Sequence, residues 1–161
     1  MRIGEILVVG STGVGIEDFL RKLSSLTEEF GKDVNFGLLP IDDQIVLHLY
    51  GVHWTRWAKS YPWELLVQKA LGAFVLFDWE HPETVKEAEE ILEFFQNRFD
   101  LPVVVASVLK SEAPGIRVQV YRGGLPLTKD SRFTFCSLDK PESLRQLVVD
   151  LININLEQMA A

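Results

Sequence analysis

Apolar residues fall along this chain in two alternating patterns, short continuous runs and stripes of 3.6-residue period. The run Ile6-Leu7-Val8-Val9, closed by Gly10, predicts a buried parallel strand. Apolar residues at 16, 19, 20, 23 and 26 share one helical face and predict a helix over Ile16–Leu26, which Ser24 and Thr27 help to end. Residues 28–33 are polar. Val34–Ile41 and Gln44–Tyr50 predict a hairpin with a tight turn at Asp42-Asp43. Gly51–Tyr61 predicts an aromatic-rich loop. Pro62 opens a helix toward Leu71, because proline fits a first helical turn, and Gly72 stops it. Ala73–Phe77 is another apolar run.

The longest stripe is Val85, Ala88, Leu92, Phe95 and Phe99, with acids and Lys86 outside it. It predicts a helix over Pro82–Phe99, ended by Asp100 to Pro102. Val103–Val108 predicts the most buried strand. In 111–131, Ile116, Val118 and Val120 alternate with Arg117 and Gln119 and favour a strand, broken by Gly123-Gly124 and Pro126. Arg132–Cys136 is a last short strand. Asp139 and Glu142 fit a capping box ahead of a helix carrying Leu144, Leu147, Val148, Leu151 and Ile154 on one face.

Strands alternating with helices predict a three-layer α/β fold with a mostly parallel sheet and helices on both faces. The hairpin adds one antiparallel strand at an edge. At 161 residues and 47% hydrophobic content, the chain fits a single domain, 1–161, with a full core. Its 16 basic and 23 acidic residues leave a net charge of −7. That charge disfavours nucleic-acid binding and anionic membrane surfaces, both of which need basic patches. No apolar run approaches the roughly 18–20 residues of a membrane span, and the first strand starts too early for a signal peptide. The lone Cys136 excludes an intrachain disulfide and fits a cytoplasmic location.

Candidate chemistry sits between the first strand and the first helix. Gly10-Ser11-Thr12-Gly13-Val14-Gly15-Ile16-Glu17 keeps both framing glycines of the phosphate-loop pattern G-x-x-x-x-G-K-[ST]. Ile16 stands at the lysine position and Glu17 at the hydroxyl position. The pattern predicts the shape of a nucleotide site without the two side chains that grip nucleotide and metal. The loop is expected to be ordered without ligand, with Ile16 turned into the protein.

This order of elements resembles the P-loop NTPases of the Ras-like small GTPase superfamily, and most of all the bacterial gliding-motility, MglA-like type. The resemblance spans about residues 4–156. It is carried by Gly10–Gly15, by Ile45–Gly51 as the strand entering the second switch, by Leu71–Asp78, by Pro82-Glu83-Thr84 as a helix start, and by Cys136-Ser137 as the last base-side loop. The departures fall at the chemistry. The second switch reads Gly51-Val52-His53-Trp54-Thr55, so Trp54 replaces the glycine that approaches the γ-phosphate and Thr55 the water-positioning glutamine. The base-reading loop reads Val108-Leu109-Lys110-Ser111, without amide or carboxylate to pair with guanine. No threonine stands at the metal-binding position before Phe36. Removing lysine, hydroxyl and carboxylate costs roughly 4–9 kcal/mol, at about 1.5–3 kcal/mol per hydrogen bond to a charged group. That is roughly three to six decades of affinity.

The resemblance therefore implies a pseudo-GTPase without catalytic residues, metal or cofactor, acting as a regulatory protein-binding module. Its family association implies a roadblock-type partner docking near the switches and the Val34–Ile41 edge. The alternative is a surviving GTP/GDP binder with magnesium and slow hydrolysis. A third reading is a phosphate sensor at the bare amides of Gly13–Ile16.

Trp54, Trp57, Tyr61 and Trp63 crowd ten residues. Either they pack locally and fix the loop, or with Phe36 they form a partner surface, since aromatics dominate binding hot spots. His48, His53 and His81 lack metal-ligand spacing. Asp78 and Glu80 end a strand where α/β proteins bind ligands, and read as caps and solvated charges. Cys136 has no visible base partner.

Overall fold

The computed structural model describes residues 2–11, 13–30, 34–55, 62–109 and 130–160. Ile6, Leu7, Val8 and Val9 are fully buried because their strand, β1 (Arg2–Ser11), lies fourth of the seven sheet strands among the described residues. In chain order the other elements are α1 (Ile16–Leu23), β2 (Leu26–Phe30), β3 (Val34–Pro40), β4 (Ile45–Trp54), α2 (Trp63–Val67), β5 (Ala70–Phe77), α3 (Pro82–Arg98), β6 (Val103–Leu109), β7 (Ser131–Ser137) and α4 (Pro141–Ala160). The sheet order is β2-β3-β4-β1-β5-β6-β7. β4, β1, β5, β6 and β7 pair in parallel, while β3 runs antiparallel to both neighbours.

Period-two alternation sends successive residues to opposite faces. Ile6 and Val8 pack with α1 and α4, whereas Leu7 and Val9 pack with α2 and α3. This is the three-layer arrangement that the alternation of elements predicts. No helix among the described residues is long and apolar enough to cross a membrane.

The antiparallel strand is not at the edge. α1 ends at Leu23, not Leu26, because Ser24 turns extended (φ −94, ψ 152). Ser25 N–H then donates to Leu38 O at 2.8 Å, and the chain continues as β2 along the outer side of β3. The hairpin turn sits where expected, with Asp42 Oδ1 accepting from the amides of Gln44 (2.7 Å) and Ile45 (2.8 Å). β4 then runs to Trp54, in register with β1 as far as Ser11, so Gly51–Trp54 is strand and not loop.

Helix α2 is only five residues, short of the expected Pro62–Leu71. Gly72 does not stop a helix. It lies within β5, where an added Cβ would fall 2.7 Å from Pro102 O and closer still to Leu151 Cδ1. The glycine is there to let α4 and the segment before β6 approach. Helix α3 matches its expected span to one residue, with Ile91 joining the buried stripe. All seven residues of β6 are buried. The capping box is not formed. Helix α4 starts at Pro141, which puts Asp139 one residue too early to be its cap. Ser143 Oγ holds that corner by accepting from Ser137 N–H at 2.9 Å and lying 2.7 Å from Lys140 O. The strand expected around 116–120 lies outside the described residues.

Candidate functional site

Chain order reverses direction across the sheet between β1 and β5, so the crevice outside their carboxyl ends is a topological switch point. The loop 10–17 sits there, with Thr12 outside the described residues. Gly13 (φ 96) and Gly15 (φ 93) take left-handed backbone that other residues adopt only with strain. Val14 N–H is used internally, donating to Ser11 O at 3.3 Å. Its side chain is 1% exposed and folds back on Gly10, where an added Cβ would lie 2.8 Å from Val14 Cγ2. Leu138, after β7, reaches over the loop, 3.8 Å from where a Cβ on Gly15 would stand. The turn is closed by apolar contacts from two directions.

Ile16 is fully buried in the cluster shared by α1 and α4. It meets β4 at Gly51, where a Cβ would lie 2.7 Å from both Ile16 Cγ2 and Leu20 Cδ1. As expected from the sequence, the aliphatic residue faces inward.

Glu17 does not point at open solvent alone. Its Oε1 lies 2.6 Å from His53 Nε2, tying the first turn of α1 to the end of β4. Alternation along β4 explains the meeting, since Leu47, Leu49 and Gly51 face α1 and His53 continues that row. Asn35 on β3, opposite Gly51, faces the same carboxylate and favours its charged form. Burial pushes the Glu17 carboxyl up, but its own backbone N–H, His53 and Asn35 outweigh that and hold it below the ordinary value of 4.5. His53 Nδ1 is buried with no hydrogen-bond partner among the described residues. Asp18 joins Glu17 in the first turn and pairs with Arg21 at 3.3 Å. Two carboxylates thus already answer the positive end of the α1 dipole.

The other residues singled out by sequence are placed differently. Val52 and Trp54 face the opposite core, at 0% and 6% exposure. Trp54 Nε1–H donates to Glu90 Oε2 at 3.4 Å, and its ring packs against Trp63 and Phe94 at 6.3 and 5.4 Å. Trp63 is fully buried. Of the two readings of the tryptophans, local packing is the one realised for Trp54 and Trp63, which as placed offer no surface to a partner. Trp57 and Tyr61 lie outside the described residues. Thr55 follows β4 and is half-buried. Phe36 is half-buried and stands 5.2 Å from His48 and 5.3 Å from Tyr50 on the face of β3 and β4 away from α1. Val108 is fully buried and Leu109 nearly so, which makes them core residues; Lys110 and Ser111 lie outside the described residues.

Asp78, expected as a cap or a solvated charge, is 3% exposed and so is not solvated. It is a local organiser, accepting from Glu80 N–H (3.0 Å) and bonding His81 Nδ1 (2.9 Å). Thr84 Oγ1 accepts from Asp78 N–H at 2.9 Å, so the start of α3 is locked to the end of β5. Ser107 Oγ accepts from Trp79 N–H at 3.1 Å, linking β6 to the same corner. Cys136 is buried and its thiol is pushed up to about 12 by burial. Among the described residues no group of three or more His, Cys, Asp or Glu is arranged to hold a metal. A cleft of about 280 Å³ lies along α3, lined by Glu90, Glu93, Phe94, Asn97 and Arg98, with Arg98 over the Phe94 ring.

Sequence reasoning missed the partners of the loop: Asn35, His53 as the mate of Glu17, and Leu138. The period-two row through Gly51 and His53 was the available signal.

No protein-family model matches the chain, and no curated protein sequence matches it.

Proposed function

We propose that this chain is a pseudo-GTPase: a Ras-like domain of the MglA-like type that has lost its nucleotide and acts in the cytoplasm by binding another protein. The observation that carries the reading is the Glu17–His53 bond closed over a buried Ile16. Where the resembling family places a lysine and a magnesium-bound hydroxyl, this chain has an aliphatic core residue and a carboxylate bonded to His53. A triphosphate entering the loop would meet Glu17 and Asp18 and would find the Val14 amide already bonded to Ser11 O. Like charges and a spent donor both oppose it.

The loop is held shut by bonds and packing internal to the protein, so no ligand is needed to order it. Such a domain acts through its surface. The half-open sheet face bearing Phe36, His48 and Tyr50 lies beside β2, which is one of the two end strands of the sheet among the described residues. An end strand beside aromatic residues suits a docking protein. A roadblock-type partner is the one the resemblance implies.

Calorimetry with GTP, GDP and ATP in the presence of magnesium tests the reading. The proposal predicts no binding tighter than about 10 μM, or about −7 kcal/mol on the usual affinity scale. A tighter Kd for any of the three makes the chain a nucleotide switch and removes the proposal. The partner is tested by gel filtration with a roadblock-type protein from the same source. A complex lost on Phe36→Glu supports this docking face, and no complex at high micromolar concentration removes it.

A further inference from the structure

One carboxylate stands in the middle of an apolar sheet face. Residues opposite each other on neighbouring strands share a face, so β1, β4 and β3 set their side chains in rows. One row is Glu5, His48 and Leu38; the next is Leu7, Tyr50 and Phe36. The cover given by α2 and α3 runs out here. Leu7 is fully buried, Glu5, His48, Tyr50 and Phe36 are half-buried, and Ile3, two residues before Glu5 on the same face, is 59% exposed.

Glu5 makes no hydrogen bond or ion pair among the described residues. Its charge still reaches the rings: burial, and then the Glu5 carboxylate, pushes the Tyr50 hydroxyl above its ordinary value of 10.0. The Phe36 ring lies 5.3 Å from Tyr50 and 5.2 Å from His48, so aromatic surface runs from β3 to the strand beside the acid.

We propose that this face takes an arginine of the docking protein, its stem laid across the rings and its guanidinium on Glu5. The inference rests on the reading of this face as the docking surface, and it names what the partner presents there. A partner that covers the face desolvates Glu5, and an apolar or acidic one leaves that charge buried and unpaired. A cation pairs it and gains from the ring faces as well. Arginine meets each demand, with an apolar stem, a planar head that stacks on aromatic rings and a fork that matches a carboxylate. A second copy of this chain is a poor occupant. A twofold contact would bring another unpaired Glu5 and a further net charge of −7 to the same interface.

The probe is an acetylated and amidated tripeptide with arginine between two leucines. Its control carries citrulline, the uncharged isostere, in the middle position. Each is titrated into the whole chain while the NMR signals of Glu5, Phe36, His48 and Tyr50 are followed. The arginine peptide should shift them saturably and bind about fivefold or more tightly than the control, as expected for a ring contact and a carboxylate pair at a half-open site. Glu5→Gln keeps the shape of a half-buried side chain and should remove most of that difference. Equal binding of both peptides at these residues overturns the arginine and leaves the docking surface standing. Shifts from neither peptide, or shifts confined to other residues, remove the docking surface too. A preference for arginine that survives Glu5→Gln, or tighter binding of the arginine peptide to that variant, also overturns the proposal; in the second case the acid serves to keep the face clear.

Discussion

Replacing Gly51 by alanine puts a methyl carbon 2.7 Å from Ile16 Cγ2 and 2.7 Å from Leu20 Cδ1. Both neighbours are at most 1% exposed and are held from behind by the α1–α4 core, so neither retreats cheaply. Overpacking of this kind costs about 1–3 kcal/mol. Ile16→Ala leaves a cavity at the same place and costs about 2–5 kcal/mol. In the double variant the new methyl occupies space that the isoleucine branches vacated, and only the Leu20 contact remains tight. The two changes should therefore cost less together than their sum, by about 1–2 kcal/mol, within the range for residues in contact. Urea unfolding followed by tryptophan fluorescence gives all four stabilities of the cycle. Additivity to within about 0.5 kcal/mol would refute the reasoning, because it would mean Ile16 does not pack on β4 and the loop stands open.

Three further outcomes follow from the same geometry. Glu17→Gln should cost roughly 1 kcal/mol, a small value because the carboxylate is nearly half exposed and screened by water. The Glu17 carboxyl is held below 4.5 in the folded protein, so its contribution is complete above that pH. It disappears as the pH falls through the lower folded value, and the gap between wild type and Glu17→Gln in thermal melts should close on the acid side. A gap that widens below pH 4 contradicts the assignment. Cys136, buried and pushed up to about 12, should resist a disulfide reagent at pH 8 in native protein and react fully after unfolding; prompt native reaction contradicts its burial. Ile16→Lys with Glu17→Thr restores the two consensus residues yet should bind no GTP by calorimetry, and should lower the melting temperature, since the new ammonium replaces a fully buried side chain. Micromolar GTP binding by that variant shows that the loop alone decides affinity.

Much of the fold was legible where one kind of order acted alone. β1 and β6 are continuous apolar runs buried on both faces, and α3 is one uninterrupted stripe; each emerged at its place. Where local signal and tertiary contact disagree, the contact prevailed. Gly72 is a good helix stop by propensity, yet it sits in β5 because Leu151 and Pro102 approach too closely for any Cβ. β2 has a weak pattern of its own, and its identity comes from pairing with β3. Trp54 looked like a loop residue after Gly51, but register with β1 extends β4 through it. The candidate site divides in the same way. The glycines of the loop and the substitution at Ile16 are local facts and were readable. The bond from Glu17 to His53 joins residues 36 positions apart and depends on which face of β4 turns toward α1, which requires the sheet.

The central claim is that this loop is closed upon itself and carries no nucleotide. Native purification without added nucleotide, acid denaturation, and anion-exchange chromatography of the supernatant measure it directly. The account predicts a supernatant free of guanine and adenine nucleotides; one nucleotide recovered per chain would contradict it.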